Sequence, residues 1–278
     1  MGVEAPQAAW KRLAWYLSLT ALSVIVLFPV YMTLVRALST PRAYLREGNP
    51  LAPVDVQWDV WSRALDEGDL GRKFIVSAVV TVIVVAAQLV TSVLAAYAFT
   101  FLDFPGRRAL FLAFMATLML PIEVTLIPNI ETMRDLEWLN SYQGLTAPFL
   151  ATAFGIFLLR QGFLGIPRDL RDAATLDGYS HLAFLRRIAI PVTRPVVASF
   201  AVVAFLAAWN QYTWPRALVS ESEWETVQIG LRSLSARTVD ESNIALAAAL
   251  LAALPVLALL IFLQRNLIRG LTAGAVKG

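Results

Sequence analysis

Six stretches of the chain carry almost no charge and are each long enough to cross a bilayer, whose hydrocarbon core takes about 20 apolar residues per helix. They are Leu13–Val35, Phe74–Leu102, Ala109–Ile130, Trp138–Leu159, Pro195–Pro215 and Ser242–Gln264. Only the third contains a formal charge, Glu123. Pro29, Pro121, Pro128, Pro148 and Pro255 fall inside the runs, which a membrane helix tolerates when neighbours satisfy the freed carbonyl. The first run follows a basic start, as a secretory signal does. Its 23 uncharged residues exceed a signal core of about 7–15, so it is read as a helix that stays in the protein.

Between the runs the pattern turns polar. Residues 36–73 mix Pro, Trp and both charges. Within them Val56, Val60, Trp61 and Leu65 recur at helical spacing, predicting an amphipathic helix. Such a helix either lies at the interface with its tryptophan at headgroup level or offers a receptor protein a contact surface. The longest of the remaining insertions, 160–194, contains "DAATLDGYSHLAFLRRIAIP". Here Pro167 precedes a helix start, Arg168 and Asp172 stand four apart, Gly178 occupies a helix C-terminus, and Ser180 caps a second helix towards Pro191. The reading is helix, glycine turn, helix, with Ala173 and Ala174 giving the first helix a low-relief patch beside a carboxylate. An amphipathic linker lying on the membrane is the other reading of the same residues.

Composition agrees with a bilayer: 58% of residues are hydrophobic, 15% are charged, and mean hydropathy is +0.64. With both termini on the cytoplasmic side, the inner segments hold 13 of the 23 Lys and Arg, the bias expected of that orientation. The isoelectric point near 9.4 then follows from basic residues beside helix ends, and no aromatic-studded basic patch points to nucleic acid. Absence of cysteine rules out disulfides and thiolate metal sites, and the single His181 has no second ligand for a metal. Glu123, expensive at membrane depth, is expected to face a cavity or a partner subunit. "WNQY" at Trp209, Asn210, Gln211 and Tyr212 groups an indole, two amides and a phenol that either bind sugar hydroxyls or anchor the helix at the interface. Gln88 and Asn129 are weaker candidates of the same kind.

An acid, two alanines, three residues, a glycine, nine residues, then Ile-x-aliphatic-Pro resembles the "EAA" loop of bacterial ABC importer permeases. Asp172, Ala173, Ala174, Gly178, Ile188, Ile190 and Pro191 fill it, with Asp172 where Glu is usual and Ile190 where Leu is usual. "DFPGRR", "AWNQYTWP" and "RGLTAGAVKG" extend the resemblance to the MalG-like permeases of carbohydrate importers, and "LMLPIEVTLIP" and "SYQGLTAPFLATAFGIFLLRQ" bring it nearest to permeases for glycerol-3-phosphate. The resemblance implies an all-α polytopic membrane protein of six transmembrane helices, with a cytoplasmic coupling helix between the fourth and fifth, forming one permease domain over residues 1–278. It implies docking of that helix on a separate ATPase dimer, a second homologous permease subunit, an extracytoplasmic binding protein, and a tail (Arg269, Gly270, Lys277) reaching into the ATPases. ATP and Mg would be used by those ATPases and no cofactor bound here, since no G-x-x-x-x-G-K-[ST] loop is present and "GDLGRK" does not fit one. A secondary transporter usually carries several intramembrane ionisable groups, and a membrane hydrolase needs paired carboxylates or a Ser–His pair; Glu123 alone supports neither.

Overall fold

The computed structural model describes residues 6–235 and 238–273, and among these it contains helices and no strand. In chain order the helices are α1 (Pro6–Leu38), α2 (Pro41–Arg46), α3 (Val60–Glu67), α4 (Leu70–Phe101), α5 (Arg107–Thr117), α6 (Ile122–Asp135), α7 (Tyr142–Thr146), α8 (Ala153–Leu164), α9 (Arg168–Leu176), α10 (His181–Phe184), α11 (Ile190–Val192), α12 (Arg194–Trp209), α13 (Thr213–Leu218), α14 (Val227–Ser235) and α15 (Ser242–Ala273). Among the described residues, four helical segments are long and apolar enough to cross a membrane: Trp10–Leu38, Leu70–Phe101, Arg194–Leu218 and Val239–Gln264. A fifth crossing results if Tyr142–Phe149 and Ala153–Leu164, bent by 46°, are one broken span.

The structure amends two of the six expected runs. Ala109–Ile130 is not one helix, because α5 ends at Thr117 and α6 begins only after Pro121, which lacks an N–H and holds the preceding residue out of the helical region. The fourth run starts late, since residues 136–141 turn, with Glu137 and Asn140 at positive φ, and Ser141 Oγ then caps α7 by accepting from Gly144 N. Where this run breaks after Phe149, α4 satisfies the loosened carbonyls: Gln88 Nε2 donates to Phe149 O at 2.9 Å and Thr91 Oγ1 to Leu150 O at 3.0 Å. Gln88 is thereby a structural amide, and the bend leaves no lipid-exposed carbonyl at these two positions.

The described residues divide into two compact units. In one, residues 6–70 with 231–253, the segment after α1 is ordered around Ser39, fully buried, whose Oγ donates to Val35 O at 2.6 Å and accepts from Val54 N at 3.1 Å. Asn243, also buried, donates to Gln57 Oε1 at 2.8 Å, and Arg42 pairs with Asp240. The amphipathic helix is present but shorter than its pattern: Val56 precedes α3 and bridges to Ser39, Val60 and Ala64 form the buried face, and Leu65 is exposed.

The other unit, 71–230 with the end of α15, is built on α4. One apolar core joins Val93, Ala96, Tyr97 and Phe101 of α4 to Leu159, Phe163, Ala174, Phe184, Leu185, Ala189, Phe200 and Ala204. A second joins Val76, Val80 and Val84 to Met133, Leu145, Trp214 and Leu218. Helices α4, α8 and α12 approach closely at Gly155, where an added Cβ would lie 2.3 Å from both Ser92 Oγ and Phe200 Cζ. Only a residue without a side chain lets these three helices meet.

Candidate functional site

The insertion between α8 and α12 folds as helix, glycine turn, helix. Pro167 opens α9, and its C-terminus closes in a paired bond pattern: Tyr179 N donates to Ala174 O at 2.9 Å and Gly178 N to Thr175 O at 3.1 Å. This closure needs a left-handed residue at its centre, and Gly178 has φ +74°. Ser180 Oγ then accepts from Ala183 N at 3.3 Å, capping α10 as its position predicts. The second helix is not uniform. Pro191 has no N–H for the carbonyl of Arg187, and the chain widens into a π turn over Leu185–Ala189 before α11.

The two alanines of the motif separate. Ala174 is 4% exposed inside the chain's own core, whereas Ala173 faces out. The low-relief patch is therefore Ala173 alone, bordered by Asp169, Asp172, Leu176 and Asp177, all exposed, with Leu176 at 89%. Arg168 and Asp172 form no ion pair. Ile188 and Ile190 are half-buried and pack on the same core as Ala174, and Pro191 is half-buried beside them. The two isoleucines hold the element to the spans.

Two contacts that the sequence pattern did not foretell fasten the element to α4. Tyr97 Oη and His181 Nδ1 are 3.0 Å apart, a hydrogen bond in which the phenol donates when the imidazole carries its proton on Nε2. Arg171 Nη2 donates to Phe101 O at 3.4 Å, and its guanidinium lies 5.7 Å from the centre of the Phe101 ring. Tyr97 and Phe101 are four apart on one helix, the spacing that puts two side chains on one face.

The expected path residues scatter into different roles. Glu123 is exposed in the first turn of α6, where its charge complements the helix N-terminus, and Asn129 is half-buried on the same helix. Trp209 is 4% exposed and stacked on Phe205 at 5.8 Å, so its indole packs the protein. Asn210 is exposed, ends α12 and donates from Nδ2 to Leu206 O, while Gln228 Nε2 reaches both Asn210 Oδ1 and Trp209 O at 3.3 Å. Gln211 is half-buried and Tyr212 is 37% exposed. The polar surface offered by this segment is thus Asn210, Gln211 and Tyr212. Arg269 and Gly270 belong to α15, but the side chains there, and Lys277 altogether, lie outside the described residues.

A family model described as "binding-protein-dependent transport system inner membrane component" matches residues 70–273, which include every span after the first and the whole glycine-turn element. The chain belongs to this family. As one of these inner membrane components it is a multi-pass permease of a binding-protein-dependent transport system. It is 34% identical over 257 residues to the sn-glycerol-3-phosphate transport system permease protein UgpE of Rhizobium meliloti (strain 1021), covering 89% of this chain and 91% of the relative. It is 31% identical over 278 residues to the arabinooligosaccharides transport system permease protein AraQ of Bacillus subtilis (strain 168), covering 99% of each. In fold it is similar to a chain of a bacterial ABC transporter involved in import of the acidic polysaccharide alginate, with TM-score 0.79 and 21% identity over 96% of this chain and 100% of that one. A second match, TM-score 0.65 at 14% identity over 93% and 96%, comes from a bacterial alginate ABC transporter in complex with an alginate pentasaccharide-bound periplasmic protein.

Proposed function

We propose that residues 1–278 form one permease domain of an ABC importer for glycerol-3-phosphate or a related sugar or polyol, with both termini cytoplasmic. A second, homologous permease completes the pathway, an extracytoplasmic binding protein delivers the substrate, and a separate ATPase dimer hydrolyses ATP with Mg. The α9–turn–α10 element docks on that ATPase, and the tail containing Arg269, Gly270 and Lys277 extends the contact. Glu123, Asn129, Asn210, Gln211 and Tyr212 are the candidates for the path or for the permease contact that closes it. The substrate class rests on the two relatives, a glycerol-3-phosphate permease and an oligosaccharide permease.

The observation that carries the coupling reading is Leu176. It is a leucine left 89% exposed on a helix whose other side is packed and hydrogen-bonded to the spans. Burying such a side chain is worth about 1.5–3 kcal/mol, enough to anchor a partner. Leu176→Asp in the co-expressed complex is expected to leave membrane insertion intact and to lower ATPase retention on purification by about tenfold or more. Wild-type retention together with full ATP-driven uptake of labelled sn-glycerol-3-phosphate would remove the docking role.

A further inference from the structure

We propose that the Tyr97–His181 hydrogen bond pins the docking element to α4, so that the two move as one body and α4 relays the motion to the outer side of the path. Tyr97 and His181 are then positioning residues for coupling. The proposal rests on the docking role given above to α9, the turn and α10.

Both arms of the element meet one face of α4. Before the glycine turn, Arg171 reaches the Phe101 carbonyl; after it, His181 reaches the Tyr97 hydroxyl. Between them Ala174, Phe184 and Leu185 sit in the core shared with Tyr97 and Phe101. Apolar contacts of this kind are non-directional and allow two surfaces to slide. A hydrogen bond requires a distance and an angle, so it fixes register. Tyr97 is 6% exposed and enclosed by the rings of Phe101, Phe163, Phe184 and His181 at centroid distances of 5.0 to 6.4 Å. The ring is thus held by packing, and its hydroxyl stands at the edge of this core, where the exposed His181 meets it.

The other end of α4 is equally fastened. Lys73 Nζ pairs with Glu225 at 3.1 Å, Arg72 with Glu223 at 2.8 Å, and Ser77 Oγ accepts from Val227 N at 2.8 Å. The next residue, Gln228, holds the Trp209 carbonyl and the Asn210 amide. Ser77 and Tyr97 are separated by about 30 Å of continuous helix. A displacement delivered at Tyr97 thus reaches the segment that carries Asn210, Gln211 and Tyr212 through a helix clamped at both ends.

The test is substrate transported per ATP hydrolysed, measured on the reconstituted full complex. Tyr97→Phe keeps the ring and removes only the hydroxyl, and is expected to lower this ratio about fivefold while ATPase remains bound. His181→Ala is expected to do the same, the double variant to be no worse than either single one, and His181→Asn, whose amide can take the place of Nδ1, to restore most of the ratio. An unchanged ratio in Tyr97→Phe, or losses that multiply in the double variant, overturns the proposal. Asp177→Cys, exposed beside the anchoring Leu176 and cross-linked to the ATPase in the same backgrounds, separates the two levels. No cross-link in any background refutes the docking role and this relay with it, whereas an intact cross-link with an unchanged ratio refutes the relay alone.

Discussion

Gly178 allows a perturbation whose cost can be worked from geometry alone. Its φ is +74°, and a Cβ built on it would meet no atom within 4 Å. A substituted side chain therefore clashes with nothing beyond its own backbone, and the penalty is that of the left-handed conformation, about 1–2 kcal/mol for an ordinary L residue. Asparagine tolerates that region and alanine does not gain from it; a β-branched side chain is a genuine outlier there. At about 1.4 kcal/mol per factor of ten, Gly178→Asn should be near wild type and Gly178→Ala should depopulate the closed turn roughly five- to thirtyfold. Gly178→Val should do so further. Hydrogen exchange at Tyr179 reads the turn directly, because its amide is bonded to Ala174 O only while the turn is closed. Exchange should accelerate in the order Asn, Ala, Val, and ATPase retention should fall in the same order. Wild-type exchange and retention in Gly178→Val, or a Gly178→Asn as damaging as valine, would refute the reasoning.

Other predictions follow from burial and charge. Ala173→Trp is expected to assemble normally and lose ATPase retention, whereas Ala174→Trp, overpacking the chain's own core by about 1–3 kcal/mol, should lower the unfolding temperature of the purified permease itself. Equal thermal stability of the two variants would contradict the placement of Ala174. Lys73→Met strands the partly buried Glu225 carboxylate and should cost up to about 3–5 kcal/mol, with Lys73→Met/Glu225→Leu recovering most of it in detergent unfolding; an unaltered single variant would show that the pair carries no stability. In the cysteine-free chain, Asp177→Cys should be protected from an impermeant thiol reagent in intact cells and Ser222→Cys labelled, both positions being exposed; the reverse pattern would invert the orientation.

What could be read from residues alone is what local chemistry dictates. Long uncharged runs mark α1, α4, α12 and α15 because removing charge and supplying about 20 apolar residues is itself the requirement for crossing lipid. Gly178 and Ser180 were legible because a left-handed φ and a hydroxyl cap are properties of a few neighbouring atoms. The break after α5 was marked by Pro121, yet an apolar run with a proline in it is equally compatible with a bent helix and with two separate ones; packing chooses between them.

Tertiary structure alone decided which face of each element is used. Ala173 and Ala174 are chemically identical, and their separation into an outward and an inward alanine depends on how α9 rolls onto Phe101, Phe163 and Phe184, residues distant in sequence. Trp209 and Asn210 are adjacent in an apparent binding motif, but the indole is consumed by packing and the amide is not. His181 looked solitary because its partner lies 84 positions earlier, on a helix face that becomes its neighbour only after folding. Such pairings have no local signature, since the energy that selects them comes from burying surfaces contributed by segments far apart in the chain.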